Sequence, residues 1–248
     1  NRHGMPDELA EQMPIIKEIL RAMNIDIIEK QGYEGDDILG TLSVYGEKQG
    51  LEVTVLSGDR DNFQLATDKV TIRIPRTKAG KTEVEDFNRE KIIETYGVEP
   101  KQLIEVKGLQ GDSSDNIPGV PGIGEKTGIK LIKEFSSIEG IFDNIDSIKG
   151  STKKKLEENK ELAIMSKKLA TIIRDVPVEF NLEELEYGNY NTKDILDVFK
   201  YLGFTSLIPR IGSLDESEDI VNEANVEISK LEDIDEFINK VKENNELI

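Results

Sequence analysis

"LEVTVLSGDRDNFQL", residues 51–65, sets the run Val53, Thr54, Val55 and Leu56 against a Ser-Gly turn and then two aspartates, Asp59 and Asp61. A short β-branched run stopped by turn residues reads as a central strand. Both acids then fall at its carboxyl end, the edge where open α/β sheets place their ligands. Upstream, "DDILGTLSVYGEKQG" reads as a helix ending at Gly50, and "IDIIEK", residues 25–30, as a strand. "MPDELAEQMPIIKEILRAMNI" has Leu9, Met13, Ile16, Leu20 and Met23 at helical spacing, with Pro6 in the first turn and a bend expected at Pro14. Downstream, "KVTIRIP" and "KTEVED" form two strands around "RTKAG", followed by short helices near 89–96 and 100–108. The expected class is α/β, a mixed, largely parallel sheet flanked by helices. Beyond Asn116 the pattern becomes helical, through "EKTGIKLIKEF", "SSIEGIFDNI", "STKKKLEENKELAIMSKKLATII" and "NTKDILDVFKYLGF".

Composition limits the chemistry. The 248 residues hold no cysteine and one histidine, His3. Disulfides and thiolate sites are therefore excluded, and any bound metal needs oxygen ligands, which favours magnesium, manganese or calcium. The net charge is −18, but residues 211–248 contribute twelve acids against three bases, half of that total. Acidity overall does not exclude DNA when carboxylates converge on bound cations. The start, "NRHGMPDEL", has neither a basic lead nor an apolar signal core, so a cytoplasmic location is expected.

Three acidic clusters stand out: Glu34, Asp36 and Asp37 in "GYEGDDILG", Asp59 and Asp61, and Asp112 and Asp115 in "GDSSDN". Each has a plain structural explanation. Acids at 34–37 suit a helix amino terminus, and those at 59–61 suit a turn. Gathered together, seven carboxylates would repel one another and take up protons unless hard cations neutralised them. Two divalent ions about 3.5–4 Å apart can grip a phosphodiester. Next to the third cluster, "IPGVPGIGEKTGIKLI" is glycine-rich and continues into a helix with Lys126, Lys130 and Lys133. Such a turn is either an ordinary helix connection or a device that aims N–H groups and lysines at a phosphate. It lacks the preceding strand and the GK[ST] ending of a P-loop.

"GYEGDD", "SGDRDNFQL" and "GDSSDNIPGVPGIGEKT", in this order, resemble the 5'-nuclease (5'-3' exonuclease) domain of bacterial DNA polymerase I, within the flap endonuclease family. The resemblance covers residues 1 to about 210. It implies a PIN-like nuclease core at 1–116 and a helical, helix-hairpin-helix-type DNA-binding subdomain at 117–210. An acidic linker at 211–225 and the start of a 3'-5' exonuclease-like domain at 226–248 would follow. It also implies that Glu34, Asp36, Asp37, Asp59, Asp61, Asp112 and Asp115 are catalytic metal ligands for two Mg2+ ions, replaceable by Mn2+. Arg2, in an arch for the single-stranded flap, would touch DNA. So would Gly119, Val120, Gly122, Ile123, Gly124, Lys126, Thr127 and Lys130 of the hairpin, where a K+ ion is also implied. The expected activity is two-metal hydrolysis at 5' ends and 5'-flap junctions of DNA in replication and repair, independent of sequence, by a monomer. Gly35 and Gly128 stand where the family usually has alanine. The family's first strand and two further aspartates do not precede Asn1, which leaves the activity of this piece open. A duplex-binding module without chemistry, or a magnesium phosphatase built on "DRD", are the rival readings.

Overall fold

The computed structural model describes residues 4–78, 81–188 and 190–212. They fall into two compact units, Ile28–Phe180 and the described parts of Asn1–Ile27 and Asn181–Ile248. In the second of these, α1 (Asp7–Ala22), α9 (Thr192–Tyr201) and α10 (Ile208–Gly212) bury Ile195, Phe199 and Ile211. Helix α1 runs unbroken through Pro14. The acidic stretch after Gly212 and the segment 226–248 lie outside the described residues, as does Arg2.

Within Ile28–Phe180, α2 (Gly35–Lys48) has Asp36 and Asp37 in its first turn and Lys48 in its last, both complementing the helix dipole. It lies close to its neighbours because it carries glycines where contact is tightest. A Cβ on Gly40 would come within 2.8 Å of Ile172 Cγ2, and one on Gly46 within 2.7 Å of Val53 Cγ2. Strand β1 (Val53–Leu56) pairs in parallel with β2 (Val70–Lys78), which pairs antiparallel with β3 (Lys81–Phe87). The expected mixed sheet is thus present. Its buried face presents Val55, Ile72, Ile74 and Phe87 to Phe63, Leu65 and Ile92. The Phe63 and Phe87 rings stand 4.5 Å apart.

Helix α3 (Arg89–Tyr96) begins at Asn88, whose side chain accepts from Lys91 N–H, and stops at Gly97 in the left-handed region. Then α4 (Gln102–Gln110), α5 (Glu125–Phe135), α6 (Ile138–Asp143), α7 (Gly150–Glu158) and α8 (Lys160–Ala170) enclose a second core. Leu109, Ile132, Ile138, Ile141 and Leu156 are fully buried there, each side chain contributing about 1.5–3 kcal/mol. Tyr96 and Leu103 pack against both cores, which makes sheet and helices one body.

Two sequence expectations fail. Residues 25–30 form no strand. Ile25 and Ile27 are half-buried, but the segment pairs with no strand among the described residues. The apolar periodicity of 151–173 is not one helix. Asn159 splits it, its side-chain amide donating to Lys155 O at 2.8 Å and its backbone leaving helical values at φ −129°. Residues 171–176 then run without regular secondary structure.

Candidate functional site

Asp59 follows β1 after the Ser57–Gly58 turn and caps the short 3-10 helix Arg60–Leu65, its Oδ1 accepting from Asp61 N–H at 2.8 Å. Its own N–H donates to Ser57 Oγ at 3.1 Å. The opposite wall is the loop after α4. It is pinned by a reciprocal backbone pair, Asp112 N–H to Ile117 O at 2.7 Å and Ile117 N–H to Asp112 O at 2.8 Å. Ser114 N–H donates to Asp112 Oδ1 at 2.8 Å, which leaves Oδ2 facing the site.

Between these walls stands a residue that sequence reading missed. Lys107, in the last turn of α4, places Nζ 2.6 and 2.5 Å from the two Asp61 oxygens, 2.8 Å from Asp112 Oδ2 and 3.4 Å from Asp115 Oδ2. Its side chain is only 12% exposed. Burial works against the ammonium, but its hydrogen bonds to Asp112 and Asp61 outweigh that and hold its pKa well above the ordinary lysine value. The same ammonium, with Ser114, depresses Asp112 to about 2. Burial pushes Asp61 the other way, above its usual range, with Lys107 opposing. The only hint in sequence was a lone lysine five positions before "DSSD" in acid-rich surroundings.

The first cluster sits differently. Asp37 serves the scaffold: Oδ2 accepts from Glu34 N–H at 3.1 Å and Oδ1 from Ile173 N–H at 2.8 Å. Glu34 is exposed at the helix start. Asp36 is joined to the second cluster by Asn62, fully buried, whose Nδ2 donates to Asp36 Oδ1 at 3.0 Å and Ser57 Oγ at 3.2 Å. Asn62 Oδ1 is a buried acceptor with no partner. A polar pair, Asn62 and Gln64, alternating with the core residues Phe63 and Leu65 was the available signal for this network.

Among the described residues no three acids or imidazoles are spaced to hold a metal ion as they stand. The chemistry of the donor set nevertheless fits one. Asp61, Asp112 and Asp115 offer only carboxylate oxygen, as hard divalent ions require, and they already converge on a cation, the Lys107 ammonium.

The glycine-rich segment joins α4 to α5 beside this cluster. Gly119, at φ +61°, crosses the backbone so closely that a Cβ would lie 2.5 Å from Gln110 C. Its N–H donates to Ser166 Oγ at 3.0 Å. Several expected DNA contacts face inward. Gly119 is buried, and so are Val120 and Ile123, whose N–H groups donate to Leu109 O and Val120 O. Apolar side chains at these two positions complete the helical core instead. Gly122, Gly124, Lys126 and Lys130 are exposed, and Thr127 is half-exposed. Lys155 Nζ donates to Gly122 O at 2.9 Å.

Residues 1–97 match a family model described as the 5'-3' exonuclease N-terminal resolvase-like domain, and residues 98–193 one described as the 5'-3' exonuclease C-terminal SAM fold. The chain is 52% identical over 212 residues to DNA polymerase I of Bacillus subtilis (strain 168), covering 85% of this chain and 24% of that protein. It is 45% identical over 212 residues to DNA polymerase I of Caldicellulosiruptor bescii, covering 86% and 25%. The chain thus spans about a quarter of the length of these curated relatives. Among solved structures it is similar to the catalytic core of Rad2 in complex with DNA substrate, with TM-score 0.55, 18% identity and coverage of 85% of this chain and 70% of that one. The T5 D15 protein co-crystallized with metal ions gives TM-score 0.55 at 19% identity, covering 86% and 72%. At such identities the likeness is one of fold.

Proposed function

Because the chain belongs to the 5'-3' exonuclease family, joining its resolvase-like α/β domain to its SAM-fold helical domain, we propose that it forms the 5'-nuclease part of a DNA polymerase I. It would hydrolyse DNA phosphodiesters at 5' ends and 5'-flap junctions during replication and repair. The observation that carries this reading is the convergence of Asp61, Asp112 and Asp115, from two separate elements, on a single cation. Relatives that are DNA polymerases I, and fold neighbours solved with DNA substrate or with metal ions, support it.

In this proposal Asp59, Asp61, Asp112 and Asp115 hold one Mg2+ and Glu34 and Asp36 the other, with Asp37 bracing the helix that carries them. Bound there, two such ions would neutralise the phosphodiester and activate water for its hydrolysis. The chain's own part is positional. Asn62 keeps Asp36 in line with the strand-end loop, and the Asp112–Ile117 pair fixes the second wall. The outward hairpin residues Gly122, Gly124, Lys126, Thr127 and Lys130 meet the duplex backbone, which carries no sequence information. Lys155 bonds the Gly122 carbonyl, and a K+ ion at the other hairpin carbonyls remains part of the proposal. The enzyme would act as a cytoplasmic monomer.

The test is a 5'-labelled flap duplex incubated with the protein in its full-length context. Cleavage at the junction that requires Mg2+ and disappears in Asp112→Asn is the expected result. Duplex retention without cleavage by the folded protein would replace the nuclease with a binding module.

A further inference from the structure

The acids at the end of β1 and in the loop after α4 already share a cation, and it belongs to the protein. We propose that Lys107 is an internal counter-cation, which keeps Asp61, Asp112 and Asp115 assembled in the ion-free protein and must swing away before a divalent ion can sit between them. Lys107 would therefore set the ion concentration at which the site fills. This rests on the assignment of these three acids as metal ligands made above.

Competition follows from the distances. Nζ lies 2.5–2.8 Å from three oxygens of Asp61 and Asp112. A magnesium or manganese ion needs the same lone pairs at about 2.0–2.2 Å, so its centre would fall inside the ammonium's own contact radius. The two cannot share that point. Charge gives the same answer. Three carboxylates offset by one ammonium leave two negative charges, and a dication entering beside that ammonium would meet its repulsion at close range. The lysine stem is flexible enough to leave without moving α4.

Lys167 provides the internal contrast. It is also largely buried and bonds two acids, Glu105 at 2.7 Å and Glu139 at 2.7 Å. Yet Glu105 also accepts from Ile138 N–H at 3.0 Å, so that cluster caps α6 and ties it to α4 and α8. The acids around Lys107 instead come from the short 3-10 helix after β1 and from the loop after α4, and Asp112 keeps one oxygen for the cation alone.

The test measures Mn2+ affinity by electron paramagnetic resonance on EDTA-stripped protein. Lys107→Met should bind Mn2+ about tenfold more tightly or better than the parent, since a nearby positive charge is gone. Its ion-free melting temperature should fall and be restored by Mn2+. Lys107→Arg, which keeps the charge, should show no gain. A purely structural lysine would lower stability and weaken Mn2+ binding together. Unchanged or weaker affinity in folded Lys107→Met overturns the proposal while leaving the ligand assignment standing. Mn2+ binding indifferent to Asp112→Asn and Asp115→Asn removes the assignment, and the proposal with it.

Discussion

Gly128 lies in the interior of α5, and a Cβ there would meet Val106 Cγ1 at 3.5 Å and Leu109 Cβ at 3.8 Å, ordinary packing distances. Alanine therefore fits, removes backbone freedom from the unfolded chain and gains up to about 1 kcal/mol. Gly128→Ala should raise the melting temperature by about 2–4 °C; a fall would show that Val106 cannot give way. Gly119 is the opposite case, since its φ of +61° and the crossing Gln110 backbone admit no side chain. Asp112 gives a prediction in pH. Its folded pKa is depressed from 3.8 to about 2 by Lys107 and Ser114. Its stabilising contribution is thus complete above the ordinary carboxylate value and is lost as pH falls through the folded one. In ion-free buffer Asp112→Asn should melt below the parent at neutral pH, and the gap should close as pH drops from 3.8 toward 2. A gap that persists at the acid end would remove the ionised pair as its cause. At this scale the acids themselves were legible, because each sits in a recognisable turn or helix start. Lys107 was not, because its partner Asp61 lies 46 positions away.

At the scale of elements, the irregular segment after α8 is the tie that holds the site's walls. Gln64, nearly fully buried, donates through Nε2 to Asp61 O and Ala170 O at 3.0 Å each and accepts from Ile172 N–H at 2.9 Å. Asp37 takes Ile173 N–H, and Thr41 Oγ1 takes Val176 N–H at 3.0 Å. Gln64→Leu would leave at least Ala170 O and Ile172 N–H buried without partners, at about 1–3 kcal/mol each. Urea unfolding should show a loss of about 2–6 kcal/mol, with faster amide exchange at Ile172. Normal exchange there would mean that Gln64 is not the tie. Helix α8 also reaches the glycine-rich hairpin through Ser166, which bonds the buried Gly119, so a single element links the site wall to that hairpin. Periodicity read the helices well, but it ran α7 and α8 together, since a period has no way to register the break that Asn159 makes by bonding back to Lys155 O.

For the molecule as a whole, both large cores of Ile28–Phe180 are built from its own residues. A chain cut to 28–180 should therefore fold and melt cooperatively, followed by circular dichroism; a chain without a transition would show that the core depends on residues outside it. The same unit explains what could be foreseen. Sequence alone determined the strand–turn–acid order at 51–65, the helical character beyond Asn116 and the oxygen-only donor chemistry, because alternation, turn residues and composition act over a few neighbouring positions. Tertiary structure decided that residues 25–30 form no strand, that Val120 and Ile123 face the core and that Asn62 reaches Asp36. It also decided that Lys107 stands where the acids meet. These outcomes depend on which distant segments share a wall, and burial and charge choose that only once the sheet and helices have closed on each other.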